Sequence, residues 1–328
     1  MKTRSSVPAS LFGIPVGVLG LAGAWNVGAR IWQLPPVVGS ALGVIGTLIW
    51  LVLLILYVQE WLCSRATAQA EAHDPLRSSF VALVFISMML VSMTILQVSR
   101  SAAIAFFGIA VVAQLALGLW LLGRTWQGGS GADFATPALY LPGVGQNFVA
   151  ASCATLFGWQ QIGMWLFGCG AFAWLAIESI VLGRAATRDP LPPAARTALG
   201  IQLAPPVVGG LAYLSLTTGA PDMVAHLLFG YGLYQAALLL RLSAWIRQPL
   251  FTASYWSFSF GATALPTMAM RMVERGDAGP MAWVAPVLFA CANLFILYLG
   301  MSTLQLVVQR KLFPNEVSAA KVPDEVRQ

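Results

Sequence analysis

The chain has 328 residues, of which 58% are hydrophobic and only 9% are charged; its net charge is +6 and its mean hydropathy is +0.77. A soluble domain needs about a quarter of its residues charged to cover its surface, so a soluble globular fold is excluded and the outer face must meet lipid. The basic balance does not point to nucleic acid, because Lys and Arg stand singly between apolar runs instead of clustering on one face or stripe.

Lys2 and Arg4 precede an apolar stretch that reaches about Trp32. That stretch is too long for the apolar core of a signal peptide, and it reads as a retained first helix. Runs of about 20 apolar residues mark spanning helices. Ten are predicted, over 11–32, 37–61, 79–98, 101–123, 137–158, 161–183, 197–217, 222–245, 252–273 and 280–308. The connections are short, so neighbouring helices form antiparallel hairpins with no room for an extramembrane domain. The chain divides into a tail over 1–10, a membrane domain over 11–309 and a polar tail over 310–328.

An even number of spans puts both termini on one side. With alternate connections assigned accordingly, that side holds Lys2, Arg4, Arg65, Arg77, Arg124, Arg184, Arg188, Arg196, Arg241, Arg247, Arg310, Lys311, Lys321 and Arg327. The other side holds only Arg30, Arg100, Arg271 and Arg275. The excess of positive charge predicts cytoplasmic termini, and the short tails and compact connections suggest a bacterial inner membrane.

The spans are not equivalent. Even-numbered ones are dense in large apolar residues, as in Ile49 to Leu56, whereas odd-numbered ones are richer in Pro, Ser and Gly. Four of the five odd spans hold a proline: Pro15, Pro142, Pro205 (followed by Pro206) and Pro266; the third has Ser87 in the corresponding region. Proline removes a backbone hydrogen bond, and in a membrane the freed carbonyl needs a protein or water partner. The pattern fits a hairpin repeated five times, with inner odd helices around a central path. It also fits the ordinary enrichment of proline in membrane helices.

Chemistry-bearing residues are sparse. Glu178 and Arg241 each lie near the cytoplasmic end of an even span, where they either pair or reach the interface separately. No inner span carries an acidic residue or histidine at mid-depth, which argues against proton coupling and for passive conduction. Cys63, Cys153, Cys169 and Cys291 read as small buried hydrophobes. His73 and His226 are far apart, and no metal-binding or phosphate-loop motif occurs, so no metal or cofactor is expected. No nucleophile–base pair suggests an enzyme. Gly230-Tyr231-Gly232 lies in a continuous apolar run and reads as helix packing rather than an ion filter, as do Gly13-x-x-x-Gly17 and Gly39-x-x-x-Gly43. Trp256-Ser257-Phe258-Ser259-Phe260-Gly261 alternates aromatic and small residues in an odd span, with Ser257 and Phe260 on one helical face.

Several segments together carry a resemblance. They are Leu11-Phe12-Gly13-Ile14-Pro15-Val16-Gly17, Tyr140-Leu141-Pro142 with Asn147, Phe229-Gly230-Tyr231-Gly232 through Leu239-Leu240-Arg241-Leu242, and Trp256 to Gly261. In order and spacing the chain, over about 11 to 313, resembles the TehA family, which includes slow-type anion channels of plant guard cells and yeast malate permeases. The resemblance implies an all-α integral membrane fold: ten transmembrane helices as five helical hairpins with quasi-fivefold symmetry around a central pore. It implies a homotrimer of anion channels, each closed by one phenylalanine, which by motif position is Phe260, with Gly13 facing it. Pro15, Pro142, Pro205 and Pro266 match the family's kinked pore helices, and Ser87 stands where a proline is expected. Chloride, nitrate or small organic acids are then the permeating species. The alternative is a proton-coupled or facilitated carrier for C4-dicarboxylates or tellurite-related oxyanions.

Overall fold

The structure, a computed structural model, describes residues 7–74, 76–128, 135–248 and 250–313. The expected tails, with Lys2, Arg4, Lys321 and Arg327, fall largely outside the described residues. Among the described residues there is no β-strand. Eight helices are long and apolar enough to cross a membrane: α1 (Ala9–Trp32), α2 (Pro36–Cys63), α3 (Arg77–Ile95), α4 (Arg100–Trp126), α6 (Gln160–Thr187), α7 (Pro193–Leu216), α8 (Met223–Ile246) and α10 (Met281–Val308). Two more expected spans are helical but fall outside that set: α5, which runs through Pro137–Leu139, Leu141–Gly145 and Gln146–Leu156, and α9, which runs through Ala253–Phe258 and Ser259–Glu274. The reason is their position. Every residue from 137 to 151 is buried, so α5 meets protein rather than lipid and is free to carry Gln146 and Asn147.

Contacts close the odd helices into a ring, α1 against α3, α3 against α5, α5 against α7, α7 against α9 and α9 against α1. Each odd helix also packs against the even helix that follows it. Burial separates the layers: 56–78% of the apolar window is buried in α1, α3 and α7, against 17–28% in α2, α4, α6, α8 and α10. The outer layer thus explains the large apolar residues of the even spans, since Leu48, Leu51, Val52 and Ile55 are exposed where lipid would lie. It also corrects the reading of the cysteines. Only Cys153 is buried, whereas Cys63, Cys169 and Cys291 are exposed, because an apolar run in an outer helix has a face turned away from protein.

The prolines have a shared setting that a simple kink does not describe. At one end of the ring the helices are tightened or loosened before settling into α geometry. Ala9–Phe12, Pro193–Leu203 and Ala253–Phe258 are 3₁₀, and Leu141–Gly145 is a π turn. Pro15 and Pro205 lie in the first turn of the α segments that follow, and Pro142 lies at the start of the π turn. A first-turn proline lacks an N–H that has no intrahelical partner in any case. Of these four, only Pro266 is interior to an α-helix. In α3, which has no such proline, the backbone stays helical through Val81 while its bonds tighten to three-residue spacing, Val81 N–H to the Ser78 carbonyl at 3.2 Å and Val84 N–H to the Val81 carbonyl at 3.1 Å. The Ser87 hydroxyl donates back to the carbonyls of Leu83 at 2.6 Å and Val84 at 3.0 Å, a bond that bends helices.

Side chains supply the partners that the π turn requires. Gln146 Nε2 donates to the carbonyl of Pro142 and, at 3.2 Å, to that of Gln114 on α4. Asn147 Nδ2 donates to the carbonyl of Gly143 at 2.8 Å. Glycines bring the ring helices close. A Cβ on Gly261 of α9 would lie 2.7 Å from Leu203 Cβ and 3.2 Å from the Ala204 nitrogen of α7.

The connection between α2 and α3 folds as a further helix, Arg65–His73. Its Glu71 is buried beneath the start of α1, accepting from the Ala9 N–H at 2.8 Å and from the Tyr57 hydroxyl at 3.3 Å. Burial pushes the Glu71 carboxyl above its ordinary value of 4.5, against the opposing effect of those two hydrogen bonds. A carboxyl raised in the folded state adds stability below its unfolded value, and that stability is lost as pH rises through the folded value. Glu71→Gln keeps an acceptor for Ala9 and removes the charge. Its melting temperature should exceed that of the native chain at pH 8, and the gain should shrink to nothing as pH falls toward 4.5. A thermal-unfolding series against pH in detergent checks this, and a gain that grows on acidification would contradict it.

Candidate functional site

The five ring helices enclose two cavities in line. The wide one, of about 650 Å³, is lined by later residues of each ring helix, such as Leu19, Leu90, Val149, Leu211 and Thr263. The narrow one, of about 30 Å³, is lined by earlier residues of the same helices, such as Val16, Leu83, Leu141, Ile201 and Ser257. All five helices therefore run in one direction, with their starts at the narrow end and their ends at the wide one. Helix N-termini carry partial positive charge and C-termini partial negative charge, so the narrow end is favoured for an anion by five parallel dipoles.

Phe260 is the only residue that lines both cavities among the described residues. Phe258, two residues earlier, turns away: its ring stacks near Tyr255 and meets Phe295 edge-on, with centroids 6.5 Å apart in both cases. Neighbouring groups fix the start of α9. Trp256 Nε1 donates to Thr303 Oγ1 at 2.8 Å, and the Ser257 hydroxyl donates to the carbonyl of Thr197.

Gly13 lines the narrow cavity beside Phe260, but a Cβ there would first meet Trp256, 3.3 Å from its Cβ. Gly20 also leaves room next to the ring: its added Cβ would stand 3.7 Å from Phe260 Cδ2 and closer still to Thr263. Gly20 carries no motif of its own and is found only from the packing. Pro15, Pro142, Pro205 and Pro266 line neither cavity; they shape the helices whose neighbouring residues do.

The walls are nearly neutral. Arg30 and Arg271 are the only charged residues lining either cavity among the described residues, and both stand at the wide end. The hydroxyls along the wide cavity are turned to their own helices. Ser152, Thr155, Ser215 and Thr267 donate to the carbonyls four residues earlier at 3.1, 2.9, 2.9 and 2.6 Å. No strong donor array awaits a dehydrated ion there. Among the described residues no group of three or more His, Cys, Asp or Glu side chains is placed to hold a metal ion.

Glu178 and Arg241 do not pair in the structure. The Glu178 carboxylate accepts from Tyr140 and Tyr231 hydroxyls at 2.6 Å each, from Trp174 Nε1 at 2.8 Å and from Gln202 Nε2 at 3.1 Å. Arg241 is exposed. Tyr231 marks the depth of Glu178 on α8, and ten residues further on Arg241 is about 15 Å away along the axis. The missed partners are neutral donors from α5, α6, α7 and α8, which no charge count reveals. The knot has a bearing on the cavities, since Tyr140 and Gln202 are the immediate neighbours of the narrow-cavity residues Leu141 and Ile201.

The family model described as SLAC1, voltage-dependent anion channel, matches residues 6–304. The chain belongs to the SLAC1 family. It is 32% identical over 308 residues to the tellurite resistance protein TehA homolog of Haemophilus influenzae, covering 94% of this chain and 93% of that protein. It is 22% identical to the S-type anion channel SLAH2 of Arabidopsis thaliana, covering 98% of this chain and 63% of the plant protein. A guard cell S-type anion channel, SLAC1, of the same plant is 25% identical over 57% of this chain. The chain is thus a multi-pass membrane protein of an anion channel or transporter family, and the TehA-like resemblance of its motifs holds across its length.

Removing the Glu178 carboxylate strands four donors. Glu178→Ala should lower the unfolding free energy by roughly 3 kcal/mol, whereas Arg241→Ala should change it by less than about 0.5 kcal/mol. Thermal unfolding of the two single variants and the double variant should give additive effects; a coupling above about 1 kcal/mol would restore the ion pair.

Proposed function

We propose that this chain is a passive anion channel of the bacterial inner membrane, with a pore through each protomer that Phe260 holds shut. In this reading all ten helices cross the bilayer, both termini are cytoplasmic and three protomers assemble. The observation that carries it is the position of Phe260 as the one side chain common to the wide and narrow cavities. An apolar ring at the junction of two in-line cavities blocks an ion sterically and by excluding water. The charge partition supports the orientation. Arg30, Arg100, Arg271 and Arg275, the four cations assigned to the far side, all gather at the wide end, and in this reading the wide cavity faces outward.

The neutral walls set the selectivity. Anion preference comes from the parallel helix dipoles and the positive potential of the protein, not from a ring of basic side chains. Such a weak field favours anions that shed water easily, so nitrate should pass better than chloride. The names of the relatives, anion channels and a tellurite resistance protein, fit small anions as the permeating class.

The test is anion current in planar bilayers or oocytes. Phe260→Ala should raise the current about tenfold or more over the native chain, with nitrate more permeant than chloride. No anion current in Phe260→Ala, together with saturable, proton-driven dicarboxylate uptake by the native chain, would replace the channel with a carrier. Chloride favoured over nitrate would overturn the weak-field account while leaving the gate in place.

A further inference from the structure

The wide end gathers four cations, and they are not used alike. Arg100 Nη2 donates to the carbonyl of Phe157 at 2.8 Å, at the end of α5. Arg275 donates to the carbonyls of Gly219 at 2.6 Å and Leu214 at 3.0 Å and to the Thr217 hydroxyl at 3.1 Å, closing the end of α7. These two line neither cavity and serve the helix ends. Arg30 and Arg271 line the wide cavity and share one carboxylate, that of Glu274.

Within that trio the arginines again differ. Each nitrogen of the Arg30 guanidinium has a protein partner: Nε and Nη2 donate to Glu274 at 2.5 and 3.4 Å, and Nη1 donates to the Asn26 carbonyl at 3.1 Å. Arg271 uses Nη1 alone, toward Glu274 at 2.9 Å. Its Nε and Nη2 have no protein partner among the described residues, and its side chain is 32% exposed. Those two nitrogens form the edge of a guanidinium that grips two oxygens of one planar group side by side. Two cations against one carboxylate leave a net positive charge, and they stand where five helix C-termini would otherwise repel an anion.

We propose that the Nε–Nη2 edge of Arg271 is an anion-binding site at the wide mouth, with the chemistry to take a planar oxyanion such as nitrate or a carboxylate. Residues 260, 263, 264, 267 and 271 share one face of α9 along the cavity. The site therefore sits about 16 Å along the helix from Phe260. It concentrates anions ahead of the neutral stretch, where the walls offer them little. Its part in permeation rests on the channel reading above; its binding of an oxyanion does not.

Two measurements separate the possibilities. The first is thermal unfolding of the full chain in detergent while nitrate replaces chloride at fixed ionic strength. Nitrate should stabilise the native chain relative to Arg271→Gln, with Arg271→Lys in between, because lysine keeps the charge and the Glu274 partner but lacks the fork. Arg275→Gln should lower the melting temperature without altering the nitrate dependence. The second is nitrate current in the Phe260→Ala background, where Arg271→Gln should raise the half-saturating concentration about threefold or more at low salt, an effect that fades at about 1 M salt. Should Arg271→Gln fail to fold, Arg271→Lys carries both arms. Nitrate dependence and half-saturation unchanged by substitution at Arg271 would reduce the residue to a helix-end charge and overturn the site. Loss of the nitrate effect in a chain whose Phe260→Ala form passes no anion would keep the site and remove the channel.

Discussion

A backbone carbonyl left unpaired in hydrocarbon has no water to turn to, and each such group costs several kcal/mol. This molecule departs from regular α geometry in four of its five ring helices at one level, through 3₁₀ segments in α1, α7 and α9 and a π turn in α5. That arrangement is tolerable only because protein surrounds it. The outer hairpin partners keep lipid away, and the amides of Gln146 and Asn147 donate to the π-turn carbonyls of Pro142 and Gly143. The two-layer architecture, with regular apolar helices outside and irregular ones inside, follows from this single requirement.

The irregular level is also where the central space narrows. Close packing between ring helices there depends on glycine, as at Gly261 against Leu203 and Ala204 and at Gly13 against Trp256. Support comes from behind the walls as well. Glu178, on an outer helix, gathers donors from α5, α6, α7 and α8, and two of those donors adjoin cavity-lining residues. One ring, that of Phe260, stands at the junction of the two spaces, among the described residues the one side chain lining both.

Charge is handled by the ends of the helices rather than by the walls. Five parallel dipoles favour an anion at the narrow end and oppose it at the wide end. The arginines at the wide end reverse that opposition, two by closing helix termini and two by facing the cavity with a single carboxylate between them. Between the ends, Ser152, Thr155, Ser215 and Thr267 bond to their own helices and leave a wall of low polarity.

Much of this was legible in the residues. The composition excluded a soluble fold, the apolar runs placed the helices to within a few residues, and the contrast between proline-rich odd spans and apolar even ones separated inner from outer layers. These are properties of lipid contact and backbone hydrogen bonding, and each residue carries them alone. The Trp256 to Gly261 segment, through its family resemblance, pointed to Phe260, which lines both cavities, rather than to Phe258. Pairings were not legible. Glu178 and Arg241 looked alike in depth, yet Glu178 is satisfied by Tyr140, Trp174, Gln202 and Tyr231, three of them on other helices. Gly13 lines the narrow cavity with Phe260, and Gly20, which no motif marks, also stands against that ring. The free edge of Arg271 depends on which nitrogen Glu274 happens to take. The sequence by itself determined what lipid and the backbone demand of each helix; only the tertiary structure decided which side chains meet, because rotation about a helix axis and the choice of neighbour are set by packing between helices far apart in the chain.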